Sequence, residues 1–171
     1  MLVFDDADRC AQKIIEQRGK KLVVATPLGL GKPVQLLNAL YKRAERDSSI
    51  ELCILTALSF LKPKPAPGLP SRLLTPYFDR VFGDYQDLLY EQRRRARALP
   101  KNIRVVEFFL SAGAYLQNGD AQRDVVSSNF THVVRDMVAM GIKVIALMMA
   151  QDNSEPDRLS LSCNKIGIAH V

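Results

Sequence analysis

Apolar residues recur along the chain with two different spacings, which predict strands alternating with helices. Four short runs are mostly apolar, as expected of strands in a buried parallel sheet: residues 21–26, 50–56, 103–109 and 143–149. Between these runs, helices are predicted over residues 6–18, 33–47 and 84–98, and over a segment that begins near Thr131. This order predicts an α/β fold, a mostly parallel sheet with helices on both faces.

Cap and stop residues set the ends of the predicted helices. Asp6 and Gly19 are suited to begin and end the first helix, and Asp84 to begin the helix that stops before Pro100. The last helix has three N-cap candidates and a glycine stop: Ser127, Ser128, Asn129 and Gly141.

Two stretches depart from this pattern. Residues 62–70 contain four prolines and predict an extended surface connection that cannot hold a helix, followed by a short helical or irregular stretch over 71–82. Near the end, residues 154–157 predict a turn, residues 159–163 alternate like a strand, and residues 166–171 are apolar. Because domains more often end in a polar tail, this pattern is expected of the front part of a longer protein.

The composition is that of one soluble globular domain over residues 1–171, since 47% of the residues are hydrophobic and 25% are charged. Its three cysteines, Cys10, Cys53 and Cys163, are odd in number and widely spaced, which favours reduced thiols and no metal site. The first residues do not resemble a signal peptide, and no apolar run is long enough to span a membrane. A cytoplasmic location without a membrane partner is expected.

The formal charge of +6 is concentrated in one segment of the chain. Residues 62–104 contain ten Lys or Arg and four Asp or Glu, an excess equal to that of the whole chain. Because the segment lacks interleaved aromatic residues, we expect no nucleic-acid partner. Two other interpretations stay open, a solvated helix end and a surface that attracts a small polyanion.

The turn between the first strand and the next helix is the main candidate site. Gly29 and Gly31 let the backbone approach a ligand, and Pro33 suits the first helical position, so Lys32 becomes the expected N-cap. Its side chain has no acceptor for the free N–H groups of the helix. The turn is therefore a candidate seat for a phosphate or for the oxyanion of a reacting carbonyl.

The known phosphate motifs do not fit this turn. A P-loop requires Ser or Thr where the chain has Pro33, and it requires a glycine five residues before Gly31. A dinucleotide fingerprint requires a third glycine where the chain has Val34. The alternative is that Gly29 and Gly31 only form a tight turn between strand and helix.

Several short motifs follow one another in the order found in one enzyme family. They are PLGLGKP at 27–33 with LLNAL at 36–40, LPKN at 99–102 with EFFL at 107–110, and Gln122 with SSNFTH at 127–132. The family tends to have Asn-Tyr-Thr-His where this chain has Phe130 as the second residue. Over roughly residues 20–163 the chain resembles the acetyl-CoA hydrolase/transferase family, CoA-transferases similar to 4-hydroxybutyrate CoA-transferase.

The resemblance implies two related α/β halves, of which this chain would supply the first. In such enzymes a glutamate of the second half attacks an acyl-CoA thioester, while a glycine turn of the first half helps to hold the thioester oxygen. The substrate would be acetyl-CoA or another short acyl-CoA, with coenzyme A as substrate or co-substrate, a carboxylate partner and no metal. Carried over to this sequence, the substrate- and CoA-binding residues are Gly29, Gly31, Lys32, Asn129 and His132.

The same resemblance implies no catalytic residue in this chain. Glu107 lies in a different family motif and is not the expected nucleophile. The chain would then act as a homo-oligomer or together with a missing C-terminal half.

His132 lies one helical turn before Asp136, so the pair is a candidate base and orienter, although a structural role for His132 is the stronger interpretation. The alternative function is a phosphate-ligand-binding or sugar-phosphate isomerase-like α/β domain that uses the same glycine turn without CoA.

Overall fold

A central parallel sheet organises the computed structural model, which describes residues 2–151 and 159–161. Its four strands are β1 (Lys21–Ala25), β2 (Glu51–Thr56), β3 (Ile103–Glu107) and β4 (Val144–Ile145), in the spatial order β3-β2-β1-β4. The α-helices are α1 (Ala7–Arg18), α2 (Val34–Arg46), α3 (Leu69–Phe82), α4 (Leu89–Arg95), α5 (Gly119–Arg123) and α6 (Val133–Ala139). A short antiparallel pair joins β5 (Met149–Gln151) to β6 (Leu159–Leu161). The predicted α/β fold is confirmed.

The main core lies between the sheet and the helices α1, α2 and α4. Alternate strand residues point into it, as the period of two along a strand requires: Leu22, Val24, Leu52, Ile54, Ile103 and Val105. From α2, Leu37 and Leu40 are fully buried in the same cluster. Burying a leucine side chain stabilises a fold by about 1.5–3 kcal/mol, so these contacts fix α2 against the sheet.

The strand order creates a switch point beside β1. Strands β2 and β3 follow on one side of β1, and the chain then returns to the other side of β1 to form β4. In open parallel sheets, ligands bind at the carboxyl ends of the strands where the order reverses in this way. The glycine turn, which directly follows β1, lies at that position.

The start of α4 differs from the prediction. The helix begins at Leu89, because the side chain of Asn38 on α2 caps it by accepting a hydrogen bond from Leu89 N at 2.9 Å and donating to the Asp87 carbonyl at 3.0 Å. The sequence-based prediction that Asp84 caps this helix was wrong, since the N-cap is Leu88. The helix also ends early, at Arg95, since Arg97 adopts a left-handed backbone with φ of +55°.

The proline-rich stretch is only partly as predicted. Residues 60–66 have no regular structure, but α3 begins at Leu69 and includes Pro70 in its first turn, where the missing N–H costs nothing. The helix then runs through residues 71–82. None of its residues is buried, and a stripe of apolar side chains at four-residue spacing is exposed: Leu69, Leu73, Tyr77 and Val81.

The last predicted strand is shorter than expected. Only Val144 and Ile145 pair with β1, whereas Met149 belongs to β5 and pairs with Leu161. The predicted alternation from Leu159 is a strand as far as Leu161, and the turn at 154–157, Cys163 and the apolar end at 166–171 lie outside the described residues. Within the described part of the chain, no helix is both long and apolar enough to cross a membrane.

Candidate functional site

The glycine turn connects β1 to α2 as predicted. Residues Gly29–Gly31 form one turn of 3-10 helix, and Gly29 has a φ of +60°, which favours glycine. The N-cap of α2 is Pro33, so the assignment of Lys32 to that position was wrong by one residue. Pro33 provides no side-chain cap, and the first turn of α2 contains no acidic residue. This helix end therefore remains favourable for an anion or a carbonyl oxygen.

Lys32 turns away from solvent at the end of this turn. Its side chain is fully buried, and Nζ donates to the Ala57 carbonyl at 2.6 Å and to the Leu58 carbonyl at 3.4 Å. Burial lowers the Lys32 pKa from its usual 10.5 to about 7, against the opposing effect of Glu107 and Glu91. Lys32 thus ties the loop after β1 to the loop after β2.

An apolar cleft of about 340 Å³ opens at the carboxyl edge of the sheet. The loops after β1, β2 and β3 and the segment before α6 contribute its walls: Leu28, Ala57, Leu58, Phe108, Phe109, Ser128, Asn129 and Phe130. Ser128 and Asn129 are its only polar side chains among the described lining residues, and no carboxylate lines it there. The cleft is therefore suited to a small apolar group that enters beside the glycine turn.

Leu58 holds an unusual backbone conformation in this cleft. Its φ is +48°, which is uncommon for a residue other than glycine, and its N–H donates to the Phe109 carbonyl at 2.9 Å. Such conformations cost of order 1–3 kcal/mol and cluster at functional sites. Two hydrogen bonds hold the Leu58 backbone in this conformation. Lys32 Nζ donates to the Leu58 carbonyl, and the Glu107 carboxylate accepts from Ser59 N at 2.8 Å.

Asn129 and His132 lie on the segment that leads into α6. The Asn129 side-chain oxygen accepts hydrogen bonds from Thr131 N at 3.0 Å and His132 N at 3.1 Å, so it caps this turn as well as lining the cleft. His132 is exposed and does not line the cleft.

The suggested pairing of His132 with Asp136 does not form. The Asp136 carboxylate instead accepts from Ser128 Oγ at 2.7 Å and pairs with Arg135 at 2.9 Å. Hydrogen bonding from Ser128 and Arg135 lowers the pKa of Asp136, with a smaller contribution from His132. Asp136 therefore orients Ser128 beside the cleft, and no base and orienter pair is assembled there.

A buried network of charged side chains lies beneath the cleft. Arg94 Nη2 donates to Glu107 at 2.9 Å and to Glu91 at 2.5 Å, and Arg94 Nε also donates to Glu91 at 2.9 Å. The Tyr115 hydroxyl donates to Glu91 and accepts from Arg94 at 2.7 Å. All four side chains are at most 4% exposed. The network therefore links α4, the end of β3 and the loop before α5 into one rigid support.

The positions of the site residues agree only in part with the sequence-based expectation. Asn129 lines the cleft, as does Leu28, which directly precedes Gly29, but Gly29, Gly31 and His132 are not among its lining residues. Lys32 is buried and bonds to the carbonyls of Ala57 and Leu58 in the cleft wall. The buried network was not predicted. Its sequence signal is Glu91 followed by arginines three and four positions later, a spacing that is equally typical of an exposed helix surface.

Comparison of the chain with protein-family models, with curated proteins and with solved structures gives no match in any of the three.

Proposed function

We propose that this chain supplies the acyl-binding wall of a site that acts on acetyl-CoA or another short acyl-CoA, in transfer to a carboxylate or in hydrolysis. The observation that supports the proposal is the apolar cleft beside the glycine turn, at the carboxyl edge of the sheet, where the loops after β1, β2 and β3 meet. A short acyl group fits the apolar lining, and the start of α2 offers backbone donors to the thioester oxygen.

The nucleophile of such a reaction would come from outside the described residues. A carboxylate would attack the thioester carbon, the C–S bond would break, and coenzyme A would leave as the thiolate while an acyl anhydride forms. Glu107 is adjacent to the cleft, yet its two oxygens already accept hydrogen bonds from Ser59 N and Arg94. Glu51 lies at the amino end of β2, the opposite edge of the sheet, where it pairs with Lys21.

The proposal is tested by thermal unfolding of the purified chain with acetyl-CoA or with ribose 5-phosphate. We expect acetyl-CoA to raise the melting temperature in a saturable manner, because a ligand that binds only the folded state stabilises it. A rise with ribose 5-phosphate alone would support the sugar-phosphate alternative instead, since the uncapped start of α2 also favours a phosphate. No rise with either ligand would refute both.

Substituting Gly29 by alanine should weaken acetyl-CoA binding about tenfold. A Cβ at this position meets no atom within 4 Å, so it projects into open space where the ligand would approach the backbone. The left-handed conformation adds a folding cost of roughly 1–2 kcal/mol. Isothermal titration calorimetry measures the change in dissociation constant.

The matched control is Gly141→Ala, before the amino end of β4. Gly141 has a φ of +73° and the same open surroundings, so it incurs the same backbone cost at the opposite edge of the sheet. Its acetyl-CoA affinity should stay within twofold of the unsubstituted protein. Equal losses in the two variants would show that Gly29 acts only as a turn residue.

A further inference from the structure

A second, polar pocket lies between the end of α4 and the loop before α5. Its volume is about 210 Å³, below the roughly 300 Å³ that encloses a drug-sized ligand, so it suits a single small group. The lining residues are Arg95, Arg97, Ala114, Tyr115, Gln117 and Asn118. Two guanidinium groups therefore line one small cavity, and no carboxylate is among the described residues that line it.

Hydrogen bonds hold both guanidinium groups in position. Arg95 Nε donates to the buried Glu91 carboxylate at 2.6 Å, and the Arg95 guanidinium carbon lies 5.6 Å from the centre of the Tyr115 ring. Arg97 donates through Nη2 to the Gln117 carbonyl. A guanidinium carries five N–H donors, so most of the donors on each side chain are left for a ligand.

The local charge balance also favours an anion. The buried network and this pocket together contain three arginines and two carboxylates: Arg94, Arg95, Arg97, Glu91 and Glu107. One positive charge therefore remains without a carboxylate among these residues. One donor of the buried Arg94, Nη1, also lacks a hydrogen-bond partner among the described residues.

We propose that this arginine pocket binds a phosphate group, held by the free donors of Arg95 and Arg97. Planar guanidinium groups bind phosphate oxygens in pairs of parallel hydrogen bonds, which a fixed pair of arginines provides at little entropic cost. The bound group is either inorganic phosphate or the phosphate of a nucleotide. The inference goes beyond the acyl-binding cleft and does not depend on it.

The test is isothermal titration calorimetry at constant ionic strength with inorganic phosphate, adenosine 3′,5′-bisphosphate and adenosine. We expect saturable binding of at least one phosphate-containing probe and none of adenosine. Tighter binding of the bisphosphate than of inorganic phosphate identifies a nucleotide phosphate as the preferred source, and the reverse order identifies free phosphate. Absence of saturable binding by both phosphate probes would overturn the proposal.

Arg97→Gln should weaken phosphate binding at least tenfold, and Arg93→Gln should change it less than twofold. Arg93 is a suitable control because it lies four residues before Arg97, loses the same charge and pairs with Glu45 outside the pocket. Equal losses in the two variants would indicate diffuse attraction and overturn the site. As a second readout in the unsubstituted protein, phosphate should shift the Arg95 and Arg97 Nε–H signals in NMR spectra and leave that of Arg93 unchanged.

Gly29→Ala should leave phosphate binding unchanged, because Gly29 does not line the arginine pocket. Weaker acetyl-CoA binding with intact phosphate binding in this variant would agree with both proposals, whereas weaker phosphate binding would contradict the arginine pocket alone.

Discussion

Substitution of Arg94 by methionine should lower the free energy of unfolding by about 3–5 kcal/mol, the largest effect expected from any single change described for this chain. Arg94 is 2% exposed and neutralises Glu91 and Glu107 together. Methionine fills a similar volume but leaves both carboxylates buried, and Arg95 and Lys32 compensate for only part of the lost positive charge. Urea unfolding at pH 7, followed by circular dichroism, measures the loss.

Arg93→Met provides the control for this measurement. Arg93 is the neighbouring residue on α4, its side chain is 54% exposed, and it pairs with Glu45 at 3.3 Å. An exposed pair of this kind contributes about 0–1 kcal/mol. If the two substitutions destabilise the protein equally, the network around Arg94 is not the buried support that the structure shows.

The free energy of unfolding of the unsubstituted protein should increase relative to that of Lys32→Met as the pH rises from 7 to 10, by roughly 3–4 kcal/mol. Desolvation lowers the Lys32 pKa to about 7 in the folded state, compared with 10.5 in the unfolded chain. Between these two values the unfolded chain binds the proton and the folded protein does not. The free energy of unfolding therefore rises with pH in this range. At high pH Lys32 is neutral in both states, and burying a charged ammonium no longer lowers the stability.

Urea unfolding of both proteins at pH 7, 8, 9 and 10 tests this expectation. Comparison with Lys32→Met isolates Lys32, because tyrosines and cysteines with raised pKa values, such as Tyr85 and Cys53, titrate in both proteins. The charged groups that act on Lys32 are Glu107, Glu91 and Arg94. Parallel stability curves for the two proteins would mean that Lys32 retains its ordinary pKa and is not desolvated as the structure indicates.

The fold was predictable because its signals are local. The apolar run of β1, the glycine turn and the spacing of Leu37 and Leu40 on α2 each define their element without knowledge of distant residues. The errors arose where a distant group sets the boundary. The start of α4 depends on Asn38 from another helix, and no feature of the sequence near Asp84 reveals that contact.

The site was less predictable for the same reason. The loops after parallel strands meet at one edge of the sheet, so the glycine turn is expected to lie near other loops such as that of Asn129. No local pattern in the sequence predicts that Lys32 is buried. Charged residues are mostly exposed, so Lys32 and Arg94 are expected at the surface from sequence alone. Their burial becomes evident only when β2, β3 and α4 are placed together.

The most direct test of the acyl-binding proposal is methyl NMR of the purified chain titrated with acetyl-CoA. Leu28, Ala57 and Leu58 line the cleft, whereas Val23 and Leu52 line a separate cavity toward the amino ends of the strands. We predict saturable shifts for the first three methyl-bearing residues and unchanged signals for Val23 and Leu52. Saturable shifts confined to Val23 and Leu52, or no shifts at all, would contradict the assignment of the cleft as an acyl-CoA site.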